Sequence, residues 1–164
     1  MTKSGPTLRL IKRQIVEPVL FALALPGDPV ARQQLMTGIG NAETGYRTRH
    51  QVNGPALGYW QDEPITHDDV WRNYLDARPA LAEVARRFLP AAYRGVPNAA
   101  ALVESDAYAC CISSIVFYRS PEPLPWRDNA GVQCRAWKRG YNTGLGAGVA
   151  DLQHIALFQA AIDA

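Results

Sequence analysis

Apolar positions recur along most of the chain at intervals of three and four, the spacing of helices with one buried face. Leu10, Ile11, Ile15, Val19, Leu20 and Ala22 set a helical period over residues 8–25, and Pro18 should kink that helix or divide it in two. Pro26-Gly27-Asp28 breaks the pattern. Asp28 then offers an N-cap with Pro29 at the first helical position, and Val30, Leu35 and Ile39 point along one face of the helix that follows. This helix should end within residues 38–45, which puts Glu43 at or just past its C-terminus.

From Tyr46 to Gln61 the period is lost, and Asn53-Gly54-Pro55 carries turn chemistry. An irregular loop or small hairpin is expected there, with a buried turn at Ala56-Leu57-Gly58. Thr66 and Asp69 resemble a capping box that opens a helix through Val70, Trp71, Tyr74 and Leu75. Pro79 starts or bends another, with Leu81, Val84, Ala85, Phe88 and Leu89 on one face and Arg86-Arg87 solvated. Residues 90–98 read as a linker. Ser105 or Asp106 caps a helix that is apolar nearly all round (Ala109, Ile112, Ile115, Val116, Phe117), the pattern of a central buried helix. Three prolines make 119–127 a loop, residues 129–139 suit a helix with Val132, Ala136 and Trp137 inward, and the glycine-rich 140–148 cannot stay regular. A last helix spans 149–162. The fold class is mainly α, in one domain over residues 1–164.

Bulk properties narrow the function more than they define it. The chain has 164 residues, 48% hydrophobic and 20% charged, with a net charge of +2. This is an ordinary globular balance, and its basic lean is too slight to argue for nucleic acid. No apolar run reaches the roughly 18 residues of a membrane span. The N-terminus lacks a charged-then-apolar leader, so synthesis in a cytoplasm without a signal peptide is expected. Three cysteines, two of them adjacent (Cys110 and Cys111, with Cys134), do not make a disulfide framework and read as small buried residues. His50, His67 and His154 lack metal-ligand spacing, and Gly144–Gly148 lacks the context of a nucleotide loop, so neither metal nor cofactor is expected.

The chemistry concentrates in three short segments. Glu43-Thr44-Gly45 places one acid among small residues at the negative end of a helix dipole, which nudges a carboxyl toward protonation. Gly58-Tyr59-Trp60-Gln61 follows, with Gln61 eighteen residues after Glu43 and Pro64 just beyond. Ala136 to Gly144 contains Tyr141-Asn142. Asp62, Glu63, Asp68 and Asp69 are also near, and read as solvated residues around a helix start.

Together these segments resemble the soluble lytic transglycosylases and goose-type lysozymes. Glu43-Thr44-Gly45 looks like their E-S-x start, Gly58–Pro64 like their G-L-M-Q-x-x-P, and Ala136–Gly144 like their A-x-x-x-A-Y-N-A-G. Thr44 replaces serine, Trp60 methionine and Thr143 alanine. The interval between the second and third segments is long, so a helical insertion at about 78–98 is expected. The wording at Pro55–Gly58 and Asn142–Gly146 is closest to phage-borne members.

The resemblance implies a lysozyme-like helical domain that cuts the β-1,4 bond between N-acetylmuramic acid and N-acetylglucosamine in peptidoglycan. Glu43 is then the catalytic acid, and Thr44, Tyr59, Gln61, Tyr141 and Asn142 contact substrate, with Tyr59 and Trp60 offering a stacking face for sugar. Core packing is the competing role for Trp60. An endolysin would remain in the host cytoplasm until a holin opens the way to the periplasm; a virion-associated enzyme would travel with other virion proteins. The reading from a different class is a phage structural or assembly protein on the same scaffold, without turnover.

Overall fold

A computed structural model describes residues 6–142 and 150–164, and over these the chain is mainly helical. The expected glycine-rich break at 140–148 lies largely outside the described residues. Among the described residues there is no named strand, and no helix is long and apolar enough to cross a membrane.

The first helical stretch is not divided in two at Pro18, one of the two outcomes expected there. Helix α1 (Pro6–Ile11) runs through a π-helical segment (Lys12–Val16) into α2 (Glu17–Leu23) without interruption. A proline inside an α-helix removes an N–H and crowds the carbonyl four residues back. Here the turn before it is widened: the Glu17 N–H donates to the carbonyl of Lys12, five residues earlier. The wider turn lets the rod pass Pro18.

Helix α3 (Pro29–Glu43) starts as the sequence predicts, with the Asp28 carboxylate accepting from the Val30 N–H at 2.9 Å. The same carboxylate pairs with Arg127, which ties the proline-rich loop to the start of the helix. From Gln34 to Gly40 every residue of α3 is buried. Helix α7 (Asp106–Arg119), capped by Ser105, is buried continuously from Tyr108 to Ile115. The core therefore has two central helices where the sequence pattern singled out only α7. Leu35, Ile39, Ile112 and Ile115 are each fully buried, and burial of each such side chain stabilises the fold by roughly 1.5–3 kcal/mol relative to exposure.

Around this pair pack α4 (Pro64–Asp69) with its π-helical continuation (Val70–Leu75), α5 (Pro79–Arg87), the short α6 (Ala101–Glu104), α8 (Ala130–Gly140) and α9 (Leu152–Asp163). The Thr66 capping box is not formed. Helix α4 begins at Pro64, with Glu63 before it and no side-chain cap, so Thr66 lies inside the first turn. Proline pre-set at the first position fixes the start three residues earlier. The 90–98 segment includes a 3₁₀ turn, Ala91–Tyr93. Helix α9 lies along α3 and α8, where Phe158 packs against Trp137. All three cysteines are free and buried, on α7 and α8.

The stretch between α3 and α4 is irregular, as expected, and is pinned by isolated antiparallel bridges of His50 with Leu57 and Leu57 with Asp62. Leu57 and Asp62 exchange both backbone hydrogen bonds, at 2.9 and 3.1 Å, and enclose a tight turn over Gly58–Gln61. Gly58 is required at its corner. Its φ is +74°, and an added Cβ would stand 2.7 Å from the carbonyl oxygen of Leu102.

Candidate active-site cleft

The end of α3 fixes the acid. Thr44 leaves helical geometry, and Gly45 and Tyr46 follow with φ of +58° and +55°, so the chain doubles back at once. The returning Tyr46 side chain lies against Gly40 and donates to the Thr37 carbonyl at 2.9 Å. A Cβ on Gly40 would occupy the space of the Tyr46 hydroxyl. The Thr44 hydroxyl donates to the Tyr59 carbonyl at 2.8 Å and accepts from the Tyr46 N–H. It therefore joins α3 to the 58–61 turn.

That turn sorts its side chains in different directions. Trp60 goes inward, fully buried, its indole N–H donating to the Met36 carbonyl at 2.8 Å. Tyr59 packs edge-on against Tyr46 and is covered by the Arg49 guanidinium, 4.2 Å from its ring centre. Neither is among the residues that line the cleft: Trp60 takes its competing role in the core, which breaks up the stacking face expected of the pair, while Tyr59 is half-buried, held by aromatic packing and the cation–π contact. Gln61 does face the cleft. It holds a left-handed backbone (φ +56°), and its Nε2 donates to the Gly58 carbonyl at 2.8 Å.

An open cleft of about 1110 Å³ runs between these elements and α7, α8 and α9. Glu43, Thr44, Gln61, Tyr141 and Asn142 all line it, although they come from three separate stretches of chain. Glu43 is half-buried at its wall. The Trp137 indole N–H donates to Glu43 Oε1 at 2.8 Å, and Asn142 Nδ2 donates to the same oxygen at 3.5 Å. Burial pushes the Glu43 carboxyl above the usual carboxylate range; the bonds from Trp137 and Asn142 and the charges of His154 and Lys138 oppose this without cancelling it.

Asp62 corrects the sequence reading most sharply. Expected among solvated residues, it is only 4% exposed and lines the cleft between Gln61 and Glu63. The Ser113 hydroxyl contacts its Oδ2, and the Tyr141 hydroxyl lies 2.8 Å from its Oδ1. Both hydroxyls also reach backbone carbonyls, Ser113 that of Ala109 at 2.7 Å and Tyr141 that of Trp60 at 2.7 Å. Each hydroxyl has one proton to give, so the two cannot serve all four contacts at once; a protonated Asp62 adds a third donor. Burial lifts Asp62 to about 7, aided by the nearby charge of Glu43. With a value near 7, Asp62 populates both protonation states around neutrality, while the Ser113 and Tyr141 hydroxyls already engage its two oxygens.

Sequence reasoning also missed Trp137 and His154. Trp137 lies one helical turn before Tyr141 and so shares its face, which is the signal that could have found it. His154, on α9, stacks on Trp137 with ring centres 5.3 Å apart and lines the cleft. Glu63 lines the cleft from an exposed position. Asp69 pairs with Arg119 at 2.6 Å, and Asp68 contacts His67 at 2.9 Å. Among the described residues, no group of three or more His, Cys, Asp or Glu is placed to hold a metal ion. Compared with protein-family models, curated proteins and solved structures, the chain matches none.

Proposed function

We propose that the protein is a peptidoglycan-cleaving glycosidase of lysozyme-like architecture, working as a lytic transglycosylase on the bond between N-acetylmuramic acid and N-acetylglucosamine. The observation that carries this reading is convergence. Glu43, Gln61 and Tyr141-Asn142, far apart in the chain, line one open cleft, and the acid is biased toward its protonated form.

A general acid must hold its proton until it meets the leaving oxygen. Glu43 protonates the glycosidic oxygen as the bond to the muramyl C1 breaks. Its carboxylate then accepts the proton of the muramyl 6-hydroxyl, whose oxygen closes on C1 to give a 1,6-anhydro product. Gln61 and Asn142 offer amides to the sugar's acetamido and ring-side groups. A water-activating second carboxylate is the mark of an inverting enzyme. The Ser113 and Tyr141 hydroxyls engage both oxygens of buried Asp62, which favours the one-carboxyl, substrate-assisted route.

A phage origin, as a lysis protein or a virion component, is part of this proposal and rests on the sequence resemblance. The alternative, a structural protein on the same scaffold, calls for a groove filled by side chains, and an open cleft around a protonation-prone acid argues against it. The test is release of soluble fragments from purified cell walls by the wild type and by Glu43→Gln. Release by the wild type alone supports the reading; equal release by both removes Glu43 from the chemistry, and release by neither contradicts the glycosidase itself.

A further inference from the structure

The two oxygens of Glu43 are not equivalent. Trp137 and Asn142 both donate to Oε1, while among the described residues nothing bonds Oε2. The sense of the Asn142 amide is fixed because Lys138 Nζ donates to its Oδ1 at 3.2 Å, which turns Nδ2 toward Glu43. Trp137 is equally constrained. It is 1% exposed and held between His154 and Phe158, ring centres 5.3 and 5.9 Å away, so its N–H cannot swing off the carboxyl.

An oxygen that already receives N–H donors has its lone pairs occupied, and a proton there would face another hydrogen. We infer that Trp137 is the positioning residue of this site: it fixes the Glu43 side chain through Oε1 and leaves Oε2 as the oxygen that gives up and takes back the proton. The inference rests on the reading of Glu43 as general acid. Trp137 acts only through Glu43. Without it, the carboxyl loses both its orientation and the donor that stabilises its ionised form. Among the described residues, the other titratable groups that act on the carboxyl include Lys138 and Tyr141 from the α8 end, His154 from α9 and Asp62 from the turn before α4.

The test uses glutamate labelled with ¹³C at the side-chain carboxyl, with the Glu43 signal identified by its loss in Glu43→Gln. Its titration is compared in the wild type and in Trp137→Phe, which keeps a ring between His154 and Phe158 but has no N–H. A hydrogen bond to a charged group is worth about 1.5–3 kcal/mol and each pKa unit about 1.4 kcal/mol. The Glu43 midpoint should therefore rise by about one to two pH units in the variant; an unmoved midpoint overturns the inference. If Trp137→Phe does not fold, the wild-type protein with ¹⁵N-labelled tryptophan suffices. The Trp137 indole signal should move with the Glu43 midpoint and stop titrating in Glu43→Gln, and an indole blind to that titration overturns the inference equally. Neither readout needs wall cleavage, so failure of the glycosidase reading is distinguishable from failure of this one. Where the wild type cleaves, the alkaline limb of its rate profile should shift upward with the carboxyl in Trp137→Phe, and a fixed limb removes Trp137 from the reaction.

Discussion

The Tyr141 hydroxyl stands 2.8 Å from Asp62 Oδ1 and 2.7 Å from the Trp60 carbonyl, linking the end of α8 to the turn that presents Gln61. This buried contact is proton-dependent. The folded-state pKa of Asp62 is raised, from an ordinary 3.8 to about 7, so between those values the folded protein binds more protons than the unfolded chain. Stability must then fall as pH rises through that window. Thermal unfolding should give a higher Tm near pH 5 than near pH 8, with a difference on the order of 2–4 kcal/mol from this group. Asp62→Asn should flatten the dependence. A variant that retains the full slope would move its origin to another residue.

Glu43→Gln keeps the shape of the side chain and removes its proton chemistry. Activity should fall by at least about 10²–10⁴-fold, the usual contribution of a general acid. The fold should survive, and at pH 8 the variant should be as stable as the wild type or more so, because a carboxyl raised by burial opposes folding once it ionises. For the same reason, wild-type activity should decline as pH rises through the Glu43 midpoint, above the ordinary carboxylate range. Comparing Tm and rate in one set of samples checks both halves.

Gln61 occupies a left-handed conformation that costs a non-glycine residue about 1–2 kcal/mol. Gln61→Gly relieves that strain and deletes the amide facing the cleft. Stability should hold or rise while activity drops, a separation that denaturant unfolding and fragment release would reveal. Loss of both together would make Gln61 a structural residue.

Gly40→Ala places a methyl where the Tyr46 hydroxyl lies. Overpacking of this kind typically costs about 1–3 kcal/mol. It should also loosen the reversal that follows Glu43, so activity should fall more than the change in Tm alone explains. A variant with wild-type Tm would show that Tyr46 moves aside freely.

Local rules made much of this legible. The Asp28 cap, the cap at Ser105 or Asp106 (Ser105 in the structure), the buried α7 and the irregular stretch after Glu43 follow from capping chemistry and hydrophobic period, and each is present. The uninterrupted rod past Pro18 was not legible, because a π turn depends on backbone adjustment that side-chain spacing does not encode. Thr44, Gln61, Tyr141 and Asn142 line one cleft with Glu43. Tyr59 and Trp60 do not, since alternate residues of a tight turn point to different sides and the tertiary packing chooses which. Asp62 was misread for a related reason: a carboxylate looks solvated until Ser113 and Tyr141, 51 and 79 residues further on, are folded over it. The Trp137 bond to Glu43 spans 94 residues and likewise has no local signature beyond a shared helix face.

The most direct measurement is mass spectrometry of the fragments released from purified peptidoglycan by the wild-type protein, with Glu43→Gln as control. The account predicts muropeptides one water lighter than hydrolysis products, ending in 1,6-anhydromuramic acid, and none from the variant. Reducing muramic ends would contradict the one-carboxyl route and point to a water-activating partner, with exposed Glu63 at the cleft the first to replace. No fragments from any wall type would contradict the glycosidase itself.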